Sequence, residues 1–233
     1  MMWGMAMLSE ALLREKFTVW GKFQEVDIAG VDAMTRPEAR ILRRGSPDSR
    51  INDEKHRADA VIVMSNPGSC MPISGTASGE WTEAKADRTQ LQLMRLMERM
   101  TWDELVIVNL SDLCDGNHEN YSALLKRCEV SGIAHSRFAM QPESEWSKII
   151  SSSDRLLYGW GGNKEAKKMA SAYGLLNLDN MFATHGKMPV AVWHSVKGYP
   201  KHPYPYIADR CEAWVEDMVE VLHSEESRQF VKN

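Results

Sequence analysis

The chain has 233 residues, 43% of them hydrophobic and 26% charged, with a formal net charge of −4. That length supports one sizeable domain with a large core, and the composition is that of a globular rather than a disordered or fibrous protein. The acidic balance excludes a polycation that coats nucleic acid, while leaving room for a local basic groove.

The chain opens on "MMWGMAMLSEALLREKF". This segment has no basic n-region and no small-residue cleavage site, so it reads as an N-terminal helix or arm rather than a signal peptide. "TRPEARILRRGSPDSRINDEKHR" carries Arg36, Arg40, Arg43, Arg44 and Arg50 among Pro37, Gly45 and Pro47. It reads as an exposed basic extension, either a solvated surface segment or a phosphate-contacting arm. Residues 1–57 are therefore expected to form a helix and extension, ahead of an α/β core over 58–233.

Four apolar runs follow: "DAVIVM" (59–64), "ELVIVNL" (104–110), "RLLYGW" (155–160) and "MPVAVWH" (188–194). Runs this continuous suit strands covered on both faces. Between the first two lies a polar loop from Cys70 to Ala86, expected to be a lid or an adaptable pocket wall. A helix then places Leu91, Met94, Met97 and Met100 at three-residue steps, and Asp87 with Gln90 predicts a capping box at its start. "NYSALLKRCE" and "SEWSKII" predict shorter helices, and "NKEAKKMASAYG" one that stops near Gly174. The last helix, "CEAWVEDMVEVL", carries Cys211, Trp214, Val215, Met218 and Leu222 on one stripe. Alternating strands and helices predict an α/β fold with a central four-stranded, mainly parallel sheet flanked by helices.

In such folds the loops at the C-terminal ends of the strands form the ligand crevice. Here every strand exit is polar or glycine-rich, yet none carries a G-x-G-x-x-G fingerprint, a P-loop or a G-x-S-x-G elbow. The four cysteines form no C-x-x-C pair and the seven histidines are scattered, so reduced thiols and no metal are expected. No apolar stretch reaches about 18 residues, which argues against a membrane span.

Four motifs at these exits, in order over roughly residues 58 to 206, resemble the uracil-DNA glycosylase superfamily. "SNPGS" resembles the Asn-Pro-Gly first motif of its mismatch-specific uracil/thymine branch. "VIVNL" resembles the strand whose terminal Asn meets the base, "LLYGWGGNKEAKK" the strand ending in Trp-Gly, and "KGYPKHPYP" the final His-Pro motif. The chain is also similar to an uncharacterised bacterial and phage family with Asn-Pro-Ser after its first strand and a terminal Pro-Lys-His-Pro. The first motif lacks the Gly-Gln-Asp-Pro-Tyr-His of the strongest uracil enzymes, which points away from plain uracil.

The resemblance implies a cytoplasmic DNA glycosylase without a cofactor, an obligate protein partner or a membrane, acting on a modified or mismatched pyrimidine. A hypermodified phage cytosine as substrate would make its role antiviral defence. Asn66 would orient the attacking water and His202 would stabilise the departing base. Pro67, Gly68, Ser69 and Asn109 would hold the flipped base, with Trp81 and Tyr204 stacking on it. Arg43, Arg44, Lys197 and Lys201 would contact DNA phosphates. Two alternatives stay open: a non-catalytic nucleic-acid binder on the same fold, and a nucleoside or nucleotide hydrolase.

Overall fold

The structure, a computed structural model, describes residues 8–46, 51, 56–140, 145–205 and 207–231. The first seven residues of the predicted arm, and Pro47 and Arg50 of the basic segment, lie outside the described residues. In chain order the elements are α1 (Glu10–Lys16), β1 (Phe17–Asp27), β2 (Asp32–Arg43), β3 (Ala58–Met64), β4 (Ser78–Glu83), α2 (Arg88–Met100) and β5 (Glu104–Asn109). They continue as α3 (His118–Ser131), α4 (Arg137–Met140), α5 (Glu145–Ser151), β6 (Ser153–Tyr158), α6 (Lys164–Ala172), α7 (Leu178–His185) and α8 (Ala208–Val231).

The fold is α/β, with one six-stranded mixed sheet in the order β4-β1-β2-β5-β3-β6. The four-stranded, mainly parallel sheet expected from sequence needs correcting in two respects. Three of the predicted runs do form the parallel part, with β3 between β5 and β6. The fourth run, 188–194, is no strand: it touches β6 through a single parallel bridge, Leu157 to Val190, and turns away. The other half of the sheet is antiparallel, built by the β1–β2 hairpin and β4.

The second strand of the hairpin, β2, runs into the segment expected to be an exposed extension. The hairpin turn holds Ala29 at φ 50 and Gly30 at φ 81, the left-handed geometry that matches the twist of paired strands. β2 then pairs with β5, Ala39 opposite Ile107, so the hairpin shares the core sheet. One irregularity interrupts it. Lys22 pairs with Glu38 and Gln24 with Thr35, so Arg36 and Pro37 together face Phe23 alone. This is a β-bulge, a place where a strand tolerates proline and re-aims a side chain. β4 corrects a further expectation, since the Cys70–Ala86 loop holds its own strand, which pairs with β1.

Alternation along the central strands divides the core. Ala60, Ile62, Leu105 and Ile107 pack with Leu93, Met97, Trp214, Met218 and Leu222 beneath α2 and α8. Val61, Val63, Val106, Val108 and Tyr158 pack on the other face with Ala166, Met169 and Ala170 of α6. The predicted capping box is present: Asp87 accepts from Gln90 N–H, and the Gln90 side chain accepts from Asp87 N–H. The box fixes where α2 begins, and that start forms one wall of the site. Truncating a buried anchor such as Leu93 to alanine costs about 2–5 kcal/mol.

Candidate active site

β3 and β5 end side by side, Met64 opposite Asn109. The loops leaving these C-terminal ends open a cavity of about 460 Å³, within the roughly 300–1,000 Å³ usual for ligand pockets. It is lined by the Asn66–Ser69 loop, Asn109, His202, Tyr204 and the start of α2 from Asp87 to Gln90. Seven residues singled out from sequence thus meet in one place: Asn66, Pro67, Gly68, Ser69, Asn109, His202 and Tyr204.

Asn66 is held by its amide, whose Nδ2 donates to the Asp115 carbonyl at 2.9 Å. That bond orients the carboxamide and leaves Oδ1 as an acceptor. Gly68 has φ 67, and a β-carbon there would lie 3.4 Å from Asp87 Oδ2. The Asn-Pro-Gly turn is therefore folded closely onto the helix cap, in a conformation that favours glycine.

Asn109 ends β5 with no exposed surface, and neither its Nδ2 nor its Oδ1 has a hydrogen-bond partner. Leaving buried polar atoms unpaired costs about 1–3 kcal/mol each. A carboxamide on a cavity wall in this state is set for a ligand that brings both a donor and an acceptor.

His202 is positioned by the glycines of the third motif. A β-carbon on Gly161 would meet His202 Cβ at 3.2 Å, and one on Gly162 would collide with the Tyr199 ring. Gly161 N–H also donates to Pro200 O at 3.1 Å. The Trp-Gly-Gly sequence is thus a bare floor on which the last loop rests. Desolvation holds the His202 imidazole below its ordinary pKa, against the opposing pull of the Tyr204 backbone and Asp87, so the neutral ring is favoured at neutral pH. His202 Nδ1 stands 3.1 Å from both the Tyr204 N–H and the Tyr204 carbonyl oxygen. Where Nδ1 accepts from that N–H, Nε2 carries the proton and is the ring's free donor. The Tyr204 hydroxyl accepts from Arg88 at 3.3 Å, which ties the loop to α2.

Other predicted residues lie elsewhere. Trp81 sits in β4, where its ring carries Lys22 Nζ at 4.9 Å and the Arg40 guanidinium at 5.1 Å; it does not line the cavity. Arg43 pairs with Glu98 at 2.8 Å and Asp103 at 3.2 Å, and its Nη2 donates to Trp102 O, so it bolts the sheet to α2. Arg44 is exposed but donates to Arg14 O and lies 3.8 Å from Glu83. Lys197 is exposed, and Lys201 pairs across the surface with Asp217 at 3.4 Å. None of these four cations lines the cavity.

The cavity also holds residues that the sequence reading placed elsewhere. The sequence reads Asp87 first as a helix cap, with a catalytic role as its alternative, and Arg88 only as part of that helix. Asp115 enters through its backbone grip on Asn66. Arg36 comes from the bulge, is 2% exposed, and lines the same cavity as Asn109. Its signal in the sequence is Pro37, which marks an irregular point in a strand. Beside it, the buried Asp112 carboxyl is raised to about 7, chiefly by desolvation, while Arg137 and Arg36 oppose the rise.

No group of three or more histidine, cysteine or acidic side chains able to hold a metal occurs among the described residues. No helix among them is long and apolar enough to cross a membrane. Comparison with family models, with curated proteins and with solved structures gives no match to this chain.

Proposed function

We propose that the protein is a DNA glycosylase that hydrolyses the N-glycosidic bond of a modified or mismatched pyrimidine and leaves an abasic site. One observation carries the reading. The unpartnered, fully buried Asn109 carboxamide shares a strand-end cavity with Asn66 and with a histidine biased to its neutral form.

In this reading a base leaves the stack and enters the cavity, where Asn109 pairs with its hydrogen-bonding edge. The C1′–N bond breaks with its electron pair leaving on the base. His202 Nε2–H donates to the base carbonyl on which that charge collects. Asn66 Oδ1 accepts from a water whose oxygen bonds to C1′, and the proton this water releases goes to the departing base or to solvent. Asp87 and Asp115 line the same cavity and favour positive charge developing on the sugar. The volume accommodates a base with a bulky substituent, which supports modified pyrimidines, including hypermodified phage cytosines and hence a defence role.

A second reading, a hydrolase of free nucleosides, draws on the mixed charge of the cavity, where Glu10, Asp87 and Asp115 stand with Arg14, Arg36 and Arg88, so that no basic excess favours a polyanion. The test is incubation with duplexes carrying uracil, mismatched thymine, hydroxymethylcytosine or its glucosylated form, followed by alkaline cleavage. Strand breaks that vanish in Asn66→Ala support the glycosylase. Binding that weakens steeply with salt, without breaks, indicates a non-catalytic binder. Release of free base from nucleosides alone indicates the hydrolase.

A further inference from the structure

Among the described residues, Arg36 is the one buried charged side chain of this cavity that makes no ion pair. Two other partly buried arginines, Arg40 of β2 and Arg137 of α4, each have a carboxylate partner. Arg40 reaches Glu38 at 3.0 Å and Glu104 at 3.1 Å. Arg137 reaches Glu38 at 3.3 Å. Arg36, at 2% exposure, has no ion pair among the described residues, and its Nε and Nη1 are buried without a hydrogen-bond partner. Asp112, whose field reaches it, accepts from Arg137 N–H at 2.9 Å through Oδ2, while its Oδ1 is buried without a hydrogen-bond partner and makes no ion pair with Arg36. A buried, unpaired guanidinium costs several kcal/mol, a state a protein retains only where something else completes it.

The backbone is arranged to present this side chain. The bulge puts Arg36 and Pro37 opposite Phe23, and Arg36 N–H is held by Asp112 O at 2.7 Å. Gly21 lies beneath the side chain, where a β-carbon would stand 3.2 Å from Arg36 Cδ. Asn109, with both amide atoms unpartnered, lines the same cavity.

We propose that Arg36 is the anion receptor of the cavity, and that the anion it receives is a heterocyclic base carrying delocalised negative charge. The proposal rests on the glycosylase reading for the identity of the anion and not for its existence. As the C1′–N bond breaks, the electron pair moves onto the ring nitrogen and spreads to the carbonyl oxygens. A fixed guanidinium there stabilises the base without first protonating it. The base is neutralised afterwards by the proton released from the water that has bonded to C1′. Asn109 reads the base's edge while Arg36 answers its charge.

The test uses the full chain and free bases of rising ring N–H acidity: uracil, 5-fluorouracil and 5-nitrouracil, with inorganic phosphate and acetate as non-heterocyclic anions. Binding is read by calorimetry at pH 7.5 in wild type, Arg36→Gln, Arg36→Lys and Arg36→Met. Wild type is expected to bind the ionised 5-nitrouracil at least about tenfold more tightly than uracil. Arg36→Gln should erase that preference and Arg36→Lys should restore part of it. Unliganded Arg36→Met should melt at a higher temperature than wild type, because it removes an unpaired buried charge. Arg36-dependent binding of phosphate or acetate but of no base would keep the receptor and sink its assignment to a departing base. A lower melting temperature in Arg36→Met, together with no Arg36-dependent anion binding, would overturn the proposal and make Arg36 a structural cation.

Discussion

The backbone of Gly161 lies directly against His202, so that a β-carbon on the glycine would stand 3.2 Å from the histidine's own. Gly161 also has φ 78, in the left-handed region. Gly161→Ala is therefore expected to cost about 1–2 kcal/mol from backbone strain alone. It should also push the His202 loop off its floor. Urea unfolding should show the stability loss, and ligand binding should weaken by more than that loss explains. Unchanged binding would detach His202 from the site.

Asn109 gives the opposite sign. Asn109→Leu keeps the shape and removes two unpartnered polar atoms from the interior. Stability of the unliganded protein is expected to rise by about 1–3 kcal/mol, while turnover of any base substrate is lost. Denaturant melts beside the abasic-site assay check both halves. A destabilised variant would mean that the carboxamide is satisfied in solution.

Stability should respond to pH from two directions. The His202 pKa is lowered by desolvation, so the folded protein binds fewer protons there than the unfolded chain. Its contribution is complete above the ordinary histidine value and is lost as pH falls through the lowered one. Asp112 has the reverse sign, raised from 3.8 to about 7. Its contribution is complete below about pH 4 and is lost as pH rises through 7. Asp112→Asn keeps an acceptor for Arg137 N–H and removes the ionisation, so it should gain on wild type progressively between about pH 4 and 8. Unfolding curves across that range would refute the assignment if the difference stayed flat.

The cations outside the cavity should separate by salt. If the surface lysines touch DNA, Lys197→Ala with Lys201→Ala should reduce the slope of log affinity against log salt by about 0.9 per lost phosphate contact. Arg43→Ala should leave that slope alone and lower stability, because Arg43 is held by Glu98 and Asp103. A changed slope in Arg43→Ala would place DNA on that side of the sheet.

The parallel strands were readable because they are buried on both faces, which leaves an unbroken apolar run such as Val61-Ile62-Val63. The hairpin was hidden because β2 carries Arg36, Glu38, Arg40 and Arg43, whose charges are mostly cancelled by partners distant in the chain. Its partner β1 did carry a signal: Phe17, Val19, Gly21 and Phe23 are buried in strict alternation. The run at 188–194 looked like a strand because its residues are apolar, but they fill space beside β6 rather than extend the ladder. Asn66 and Asn109 were legible because strand exits in α/β folds are where ligands go, whereas His202 was read after an apolar run that is no strand. Arg36 was not, because only the bulge turns it inward, and pairing register cannot be read from one strand alone.

The bulge also has a consequence for assembly. The cavity draws Arg36 from the hairpin, Asn66 and Asn109 from the parallel strands, and His202 from a loop that follows every strand of the sheet. Contacts so distant along the chain form late and slowly. A partly folded chain could thus hold its parallel strands in place and still lack both the cation and the imidazole. Recovery of ligand binding during refolding should then lag behind recovery of the sheet.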